Sequence, residues 1–317
     1  MKARNILAAA LLLAMVSAAS ADRFGTDGNQ FTIDFVTISG STNPSSGYGI
    51  VNNDYRMGKF EITNGQWDKF KAAYGPVTGS TLEWYPYSPY DESPYWTGTT
   101  VPTDNVSWYE AAQFVNWLNT STGHHVAYKF TGTQGQSDYT LSTWVTGDVG
   151  YNSANPYRNS NTKYYLPTEN EWVKAAYWNG TELQTYATKA GETLFQGNGS
   201  NGGWNYDDNA ENGYVGPWAV GSGSQELNGT YDMMGNVWEW MESPWESGDY
   251  GTATRRGQRG GSYIGGDGNL LSSTRTWGHP YEEDVGLGFR VASEVPEPAS
   301  LGLITLGGLA LLKRRRR

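Results

Sequence analysis

Tyr231-Asp232-Met233-Met234-Gly235-Asn236-Val237-Trp238-Glu239-Trp240 reads as a glycine turn opening into an extended, aromatic-rich segment. Side chains alternate between two faces in an extended chain. Asn236, Trp238 and Trp240 are therefore expected on one face, and Val237, Glu239 and Met241 on the other. Asp232 and Glu239 bracket the turn, where carboxylates and exposed carbonyls can converge on a hard cation such as calcium. A turn closed by side-chain-to-backbone hydrogen bonds, which Asp and Asn make readily, satisfies the same residues.

Outward from this turn, the same helix-start device occurs three times. Thr63 with Gln66, Ser107 with Glu110 and Thr168 with Glu171 each have the spacing of a capping box. Trp67, Phe70 and Tyr74 then fall on one face of the first helix. Ala111, Phe114, Val115 and Leu118 supply the apolar stripe of the second, which should end near Gly123. Trp172, Ala175 and Ala176 face inward on the third. Phe31 to Ile38 and Tyr55 to Ile62 read as strands. Short strands with three capped helices point to an α+β domain, and 41 Gly, 14 Trp and 22 Tyr to many turns around an aromatic core. The helix starts are too unevenly spaced for a repeat array.

The decad resembles the signature of the formylglycine-generating-enzyme (sulfatase-modifying factor) family, and other pieces follow in the family's order. These are Met57-Gly58-Lys59-Phe60-Glu61-Ile62-Thr63-Asn64, then Val106-Ser107-Trp108 with Ala111-Ala112, and then Leu166-Pro167-Thr168-Glu169-Asn170-Glu171-Trp172. Arg259-Gly260-Gly261-Ser262-Tyr263 and Gly288-Phe289-Arg290-Val291-Ala292 complete them. The resemblance implies an irregular C-type-lectin-like fold with short strands, about three helices and long loops. It also implies two structural calcium sites. One would use the Asp232 and Glu239 side chains with the Gly235 and Val237 carbonyls. The other would use the Asn205 and Asn212 side chains with the Tyr206 and Tyr214 carbonyls. Every such ligand is an oxygen, as calcium requires.

Enzymes of this family hold copper between two cysteine thiolates and oxidise a substrate cysteine to formylglycine. Soft thiolates suit monovalent copper. This chain has no cysteine, and the two matching positions are Gly265 and Leu270. No copper is expected and no catalytic residue is assigned, although Trp238 and Ser262 match residues that line the family's pocket. Iron-dependent relatives use several histidines. Here His124, His125 and His279 lack spacing that would bring them together. No phosphate loop, nucleophile elbow or zinc-binding helix motif occurs, and Glu282-Glu283-Asp284 reads as a solvated run.

Two loops stand out. Trp84-Tyr85-Pro86-Tyr87-Ser88-Pro89-Tyr90, with Tyr95-Trp96, is too proline-rich for a central strand. Its rings can stack on sugars or peptides, or fold back over the core. Residues 180–229 are dominated by Gly, Asn, Ser, Asp and Tyr, and so long a loop inside a compact domain must be tied down. A bound cation would do this.

Residues 1–21 read as a signal peptide: Lys2 and Arg4, an apolar run, and Ala19-Ser20-Ala21 as the cleavage site. Residues 22–294 form the domain, and residues 295–317 a sorting segment. That segment runs from Val295-Pro296-Glu297-Pro298 through apolar Ala299 to Leu312 into Lys313-Arg314-Arg315-Arg316-Arg317. A helix over the apolar run spans about 21 Å, short of the ~30 Å hydrocarbon core. The order resembles a PEP-CTERM signal. It implies processing by signal peptidase and an exosortase, transient contact with the inner membrane, and delivery to the cell surface or extracellular matrix of a Gram-negative bacterium. The chain carries 32 acidic against 22 basic residues, and both ends remove basic ones. The acidic domain left behind repels nucleic acid. The expected function is that of an exported, non-catalytic surface or matrix protein that binds extracellular polysaccharide or a matrix protein. The alternative is an oxidoreductase with altered chemistry in the family's pocket.

Overall fold

In the computed structural model, residues 20–77, 95–136, 138–207 and 216–296 are described. All three capping boxes form. Thr63 caps α1 (Asn64–Tyr74), Ser107 caps α2 (Trp108–Ser121) and Thr168 caps α3 (Glu169–Tyr177), each with its reciprocal Gln or Glu contact. Every box satisfies two first-turn donors that would otherwise lack a partner.

A five-stranded sheet has the order β1-β2-β3-β11-β6. Its strands are β1 (Ser20–Phe24), β2 (Phe31–Ile38), β3 (Tyr55–Gly58), β6 (Tyr164–Tyr165) and β11 (Ala292–Glu294). β3 is shorter than the sequence suggests. It stops at Gly58, whose N–H bonds Val291 O at 2.7 Å and where any Cβ would lie 2.8 Å from that oxygen. β1 begins at Ser20, inside the expected leader, so cleavage after Ala21 would leave Asp22, Arg23 and Phe24 of this strand. β4 (Lys129–Thr131) and β5 (Thr140–Ser142) form a separate hairpin.

The second sheet has the order β10-β7-β8-β9, from β7 (Trp238–Pro244), β8 (Arg256–Arg259), β9 (Thr276–Gly278) and β10 (Leu287–Gly288). β7 grows out of the glycine turn and separates two cores. Trp240 joins an aromatic cluster with Trp67, Phe70, Phe114 and Phe289 against α1 and α2. Met241, one residue on and on the other face, joins Trp172, Val173, Met57 and Leu270 against α3. The expected alternation is present, and both faces are buried.

α2 is buried along nearly its whole length, polar residues included. Asn116 and Asn119 turn their amides onto backbone outside the helix. Asn116 both donates to and accepts from Tyr128, and Asn119 accepts from the N–H groups of Lys163 and Tyr164. Buried side-chain amides thus replace the partners that missing regular structure would have supplied. No helix among the described residues is long and apolar enough to cross a membrane. The C-terminal apolar run lies outside them.

Candidate functional site

The glycine turn is built from left-handed backbone. Asp232, Gly235 and Asn236 have φ of 59°, 78° and 62°. At Gly235 a side chain is impossible, because a Cβ would fall 2.0 Å from Asn205 O. Glu226 closes the turn from beneath, accepting from the N–H groups of Met233 and Met234, both at 3.0 Å. Asn236 ties three segments together. Its Oδ1 accepts from Trp218 N at 2.7 Å and its Nδ2 donates to Glu61 at 2.6 Å, while its own N–H donates to Asn205 O at 2.9 Å.

Glu239 projects into the α3 side of β7 and is fully buried. Its Oε1 accepts from Arg290 Nε and Nη2 at 2.9 and 2.7 Å. Its Oε2 accepts from Arg290 Nε at 2.7 Å and from Trp172 Nε1 at 2.8 Å. These four contacts occupy the roughly four lone-pair positions of a carboxylate. A calcium ion at Glu239 would therefore have to displace Arg290 or Trp172. Asp232 is less committed, with Oδ2 accepting from Gly221 N at 2.7 Å.

Three further carboxylates crowd the same turn. Burial pushes Asp232 up to about 6 and Glu226 up to about 8. Burial, reinforced by the charge of Asp232, raises Glu61 well above the usual carboxylate range. The charge of Arg290 opposes all three shifts. Among the described residues, no three His, Asp or Glu side chains converge as a metal shell.

Of the second expected calcium set, Asn212 and Tyr214 lie outside the described residues. Asn205 sits beside the turn, with Nδ2 bonded to Gly216 O at 2.9 Å, and Tyr206 O accepts from Gln196 at 2.8 Å. Asn228 secures the long segment to α3, donating to the Ala175 and Trp178 carbonyls at 3.0 Å. In its described part, then, side-chain-to-backbone bonds tie this segment down.

The copper-pocket positions are filled. A Cβ at Gly265 would lie 2.2 Å from Asn269 Nδ2, so the Asn269 amide occupies that space. Leu270 faces inward. Its side chain is fully buried in the α3 core, where apolar packing draws it in, and its carbonyl accepts from Tyr177 Oη at 2.9 Å. Ser262 is buried and Trp238 half-buried, with Trp238 N bonded to Gly286 O at 2.7 Å.

Of the aromatic loop, Trp84, Tyr85, Tyr87 and Tyr90 lie outside the described residues. Trp96 is folded back: its Nε1 donates to Val285 O at 3.0 Å and its ring packs edge-on against Tyr263. Tyr95 is 63 % exposed. Behind them lies Asp104, buried with neither carboxylate oxygen in a well-formed hydrogen bond. Burial pushes it up to about 7, although the N–H groups of Trp96 and Tyr95 lie close enough to oppose the shift. Sequence reasoning gave no role to Glu61, Glu226 or Arg290, although Glu61 and Arg290 stand inside the quoted motifs.

With this geometry in place, the comparisons with known proteins are specific. The sulfatase-modifying factor enzyme 1-like domain profile matches residues 23–295, and the PEP-CTERM protein-sorting motif matches residues 294–317. The chain is 26 % identical over 272 residues to a hercynine oxygenase of Mycobacterium tuberculosis, covering 76 % of this chain and 53 % of that protein. It is 34 % identical over 139 residues to the inactive C-alpha-formylglycine-generating enzyme 2 of Bos taurus, covering 42 % of this chain and 45 % of that one. The chain thus spans about half the length of these curated relatives. In structure it is similar to Treponema denticola variable protein 1, with a TM-score of 0.56 at 21 % identity over 88 % of this chain and all of that one. That likeness shows the fold.

Proposed function

Since this chain belongs to the sulfatase-modifying factor family, we propose that it is an exported, non-catalytic member that uses the fold for binding or matrix structure. One observation carries the reading: Asn269 fills the space at Gly265, and Leu270 is packed into the core. Neither position can offer a thiolate, and soft ligands are what monovalent copper requires. The relatives are consistent with loss of chemistry, since one is named as an inactive enzyme. Another is named as an oxygenase, which keeps altered oxidative chemistry as the second reading.

The sorting motif implies exosortase-mediated processing. On this reading residues 1–21 and the segment from 295 are removed, and residues 22–294 reach the surface or extracellular matrix of a Gram-negative cell. Calcium at the glycine turn belongs to the same proposal. The surplus of buried carboxylates around Arg290 supports it, and Asp232 with the Gly235 and Val237 carbonyls would be the ligands. Glu239 is then a partner of Arg290.

The test is incubation of the mature domain with copper, oxygen and a cysteine-containing sulfatase-type peptide. No aldehyde should form. Stoichiometric formylglycine would overturn the reading.

A further inference from the structure

One face of the β7-β8-β9 sheet is covered by α3 over only part of its length. Glu169, in the first turn of α3, binds Arg259 and Arg275 and donates its N–H to Ser243 Oγ at 3.0 Å. Because Gly257 pairs with Trp277 and alternate residues share a face, the uncovered continuation carries Arg255, Trp277 and His279. Trp245 is beside them, its N–H bonded to Arg255 O at 2.8 Å. Trp245, Glu246, Asp249, Thr254, Arg255 and His279 line an open cleft of about 300 Å³, at the small end of the range for ligand sites.

Guanidinium groups hold both indoles in place. Arg255 lies 3.5 Å from the centroid of Trp277, and Arg275 lies 3.7 Å from that of Trp245. Trp277 still exposes 37 % of its surface. Arg275 is consumed by Glu169. Arg255 and Glu246 make no ion pair with a described residue, so a planar donor and a carboxylate acceptor face the same open cleft.

We propose that this cleft binds a sugar unit of a neutral glycan. A hydroxyl both donates and accepts, so vicinal hydroxyls match Arg255 on one side and Glu246 or Asp249 on the other. The C–H face of a pyranose suits an ordered indole whose surroundings are wet. Two carboxylates against one guanidinium leave no net positive charge among these three groups to attract a uronate or a sulfate ester. The proposal rests on the reading that this domain binds rather than transforms its ligand. The cleft's lining residues include neither Gly265 nor Asn269.

The mature domain should be titrated with cellohexaose, laminarihexaose, mannohexaose and an oligouronate, following tryptophan fluorescence and heat. At least one neutral hexasaccharide should bind. Trp245→Ala and Arg255→Ala should each weaken it about tenfold or more. Glu246→Gln, at an exposed position, should weaken binding without altering the melting temperature, which protects the test against misfolding. Failure of all three neutral probes at millimolar concentration, preference for the oligouronate, or binding that survives these substitutions would overturn the proposal. Formylglycine formation in the copper assay would sink the non-catalytic reading instead and leave the cleft's affinity as measured.

Discussion

Arg290 and Glu239 are fully buried and meet in a bidentate ion pair, Nη2 to Oε1 at 2.7 Å and Nε to Oε2 at 2.7 Å. The pair joins β7 to the segment between β10 and β11, and Arg290 also donates to the carbonyls of Gly58 and Tyr231 at 3.0 and 2.9 Å. One guanidinium therefore fastens the glycine turn to both sheets.

Removing one partner leaves the other charged and buried. Glu239→Gln or Arg290→Met should each destabilise the domain by about 3 to 5 kcal/mol. The double variant should recover part of that loss, because two apolar or neutral groups need no charge partner. Urea denaturation of the four proteins checks this. A single substitution costing less than about 1 kcal/mol would show the pair to be dispensable.

Calcium binding to the folded state alone would raise stability by mass action, about 2.7 kcal/mol at a hundredfold excess over the dissociation constant. Thermal melts in chelator and in millimolar calcium should differ by a few degrees. Asp232→Asn should remove the difference. Glu239→Gln should lower the melting temperature in both buffers, since its carboxylate serves Arg290. Identical wild-type melts would return the turn to hydrogen bonding alone.

Asp104 supplies a pH dependence. Burial raises its folded-state value from 3.8 to about 7, so the protonated form is favoured by folding. Its contribution is fully present below about pH 4. It is lost as pH rises through 7, at up to about 1.4 kcal/mol per unit. Asp104→Asn should flatten this part of the stability profile and be at least as stable as wild type at pH 8. A wild-type profile with no fall between pH 4 and 7 that Asp104→Asn changes would contradict this.

β11 lies between β3 and β6 and pairs with both, yet the sorting motif begins at residue 294. A chain ending at Pro296 should melt like the full domain, whereas one ending at Val291 loses this strand and should not fold. Mass spectrometry of surface-extracted protein should find no peptide from residues 313–317. An intact basic tail there would make it a permanent anchor.

The three helices could be read from the sequence because a capping box is settled within four residues: Thr63 and Gln66 satisfy each other's backbone wherever the chain goes. Strand β2 was equally legible, from alternation that buries Phe31, Ile33 and Phe35. The ordered motif set carried the family and the fold. What those residues do to one another was not legible. Glu239 offers its oxygens to any cation, and packing alone brings Arg290, 51 positions away, against them. Leu270 looked like an emptied ligand position until the α3 core claimed it. The cleft of Trp245, Arg255 and His279 gives no sequence signal, because those residues meet only once β7, β8 and β9 pair and α3 leaves their far end uncovered. Local hydrogen bonding and periodicity are properties of the chain itself. Charge partners and concave surfaces belong to segments distant in sequence, and the tertiary fold alone brings those together.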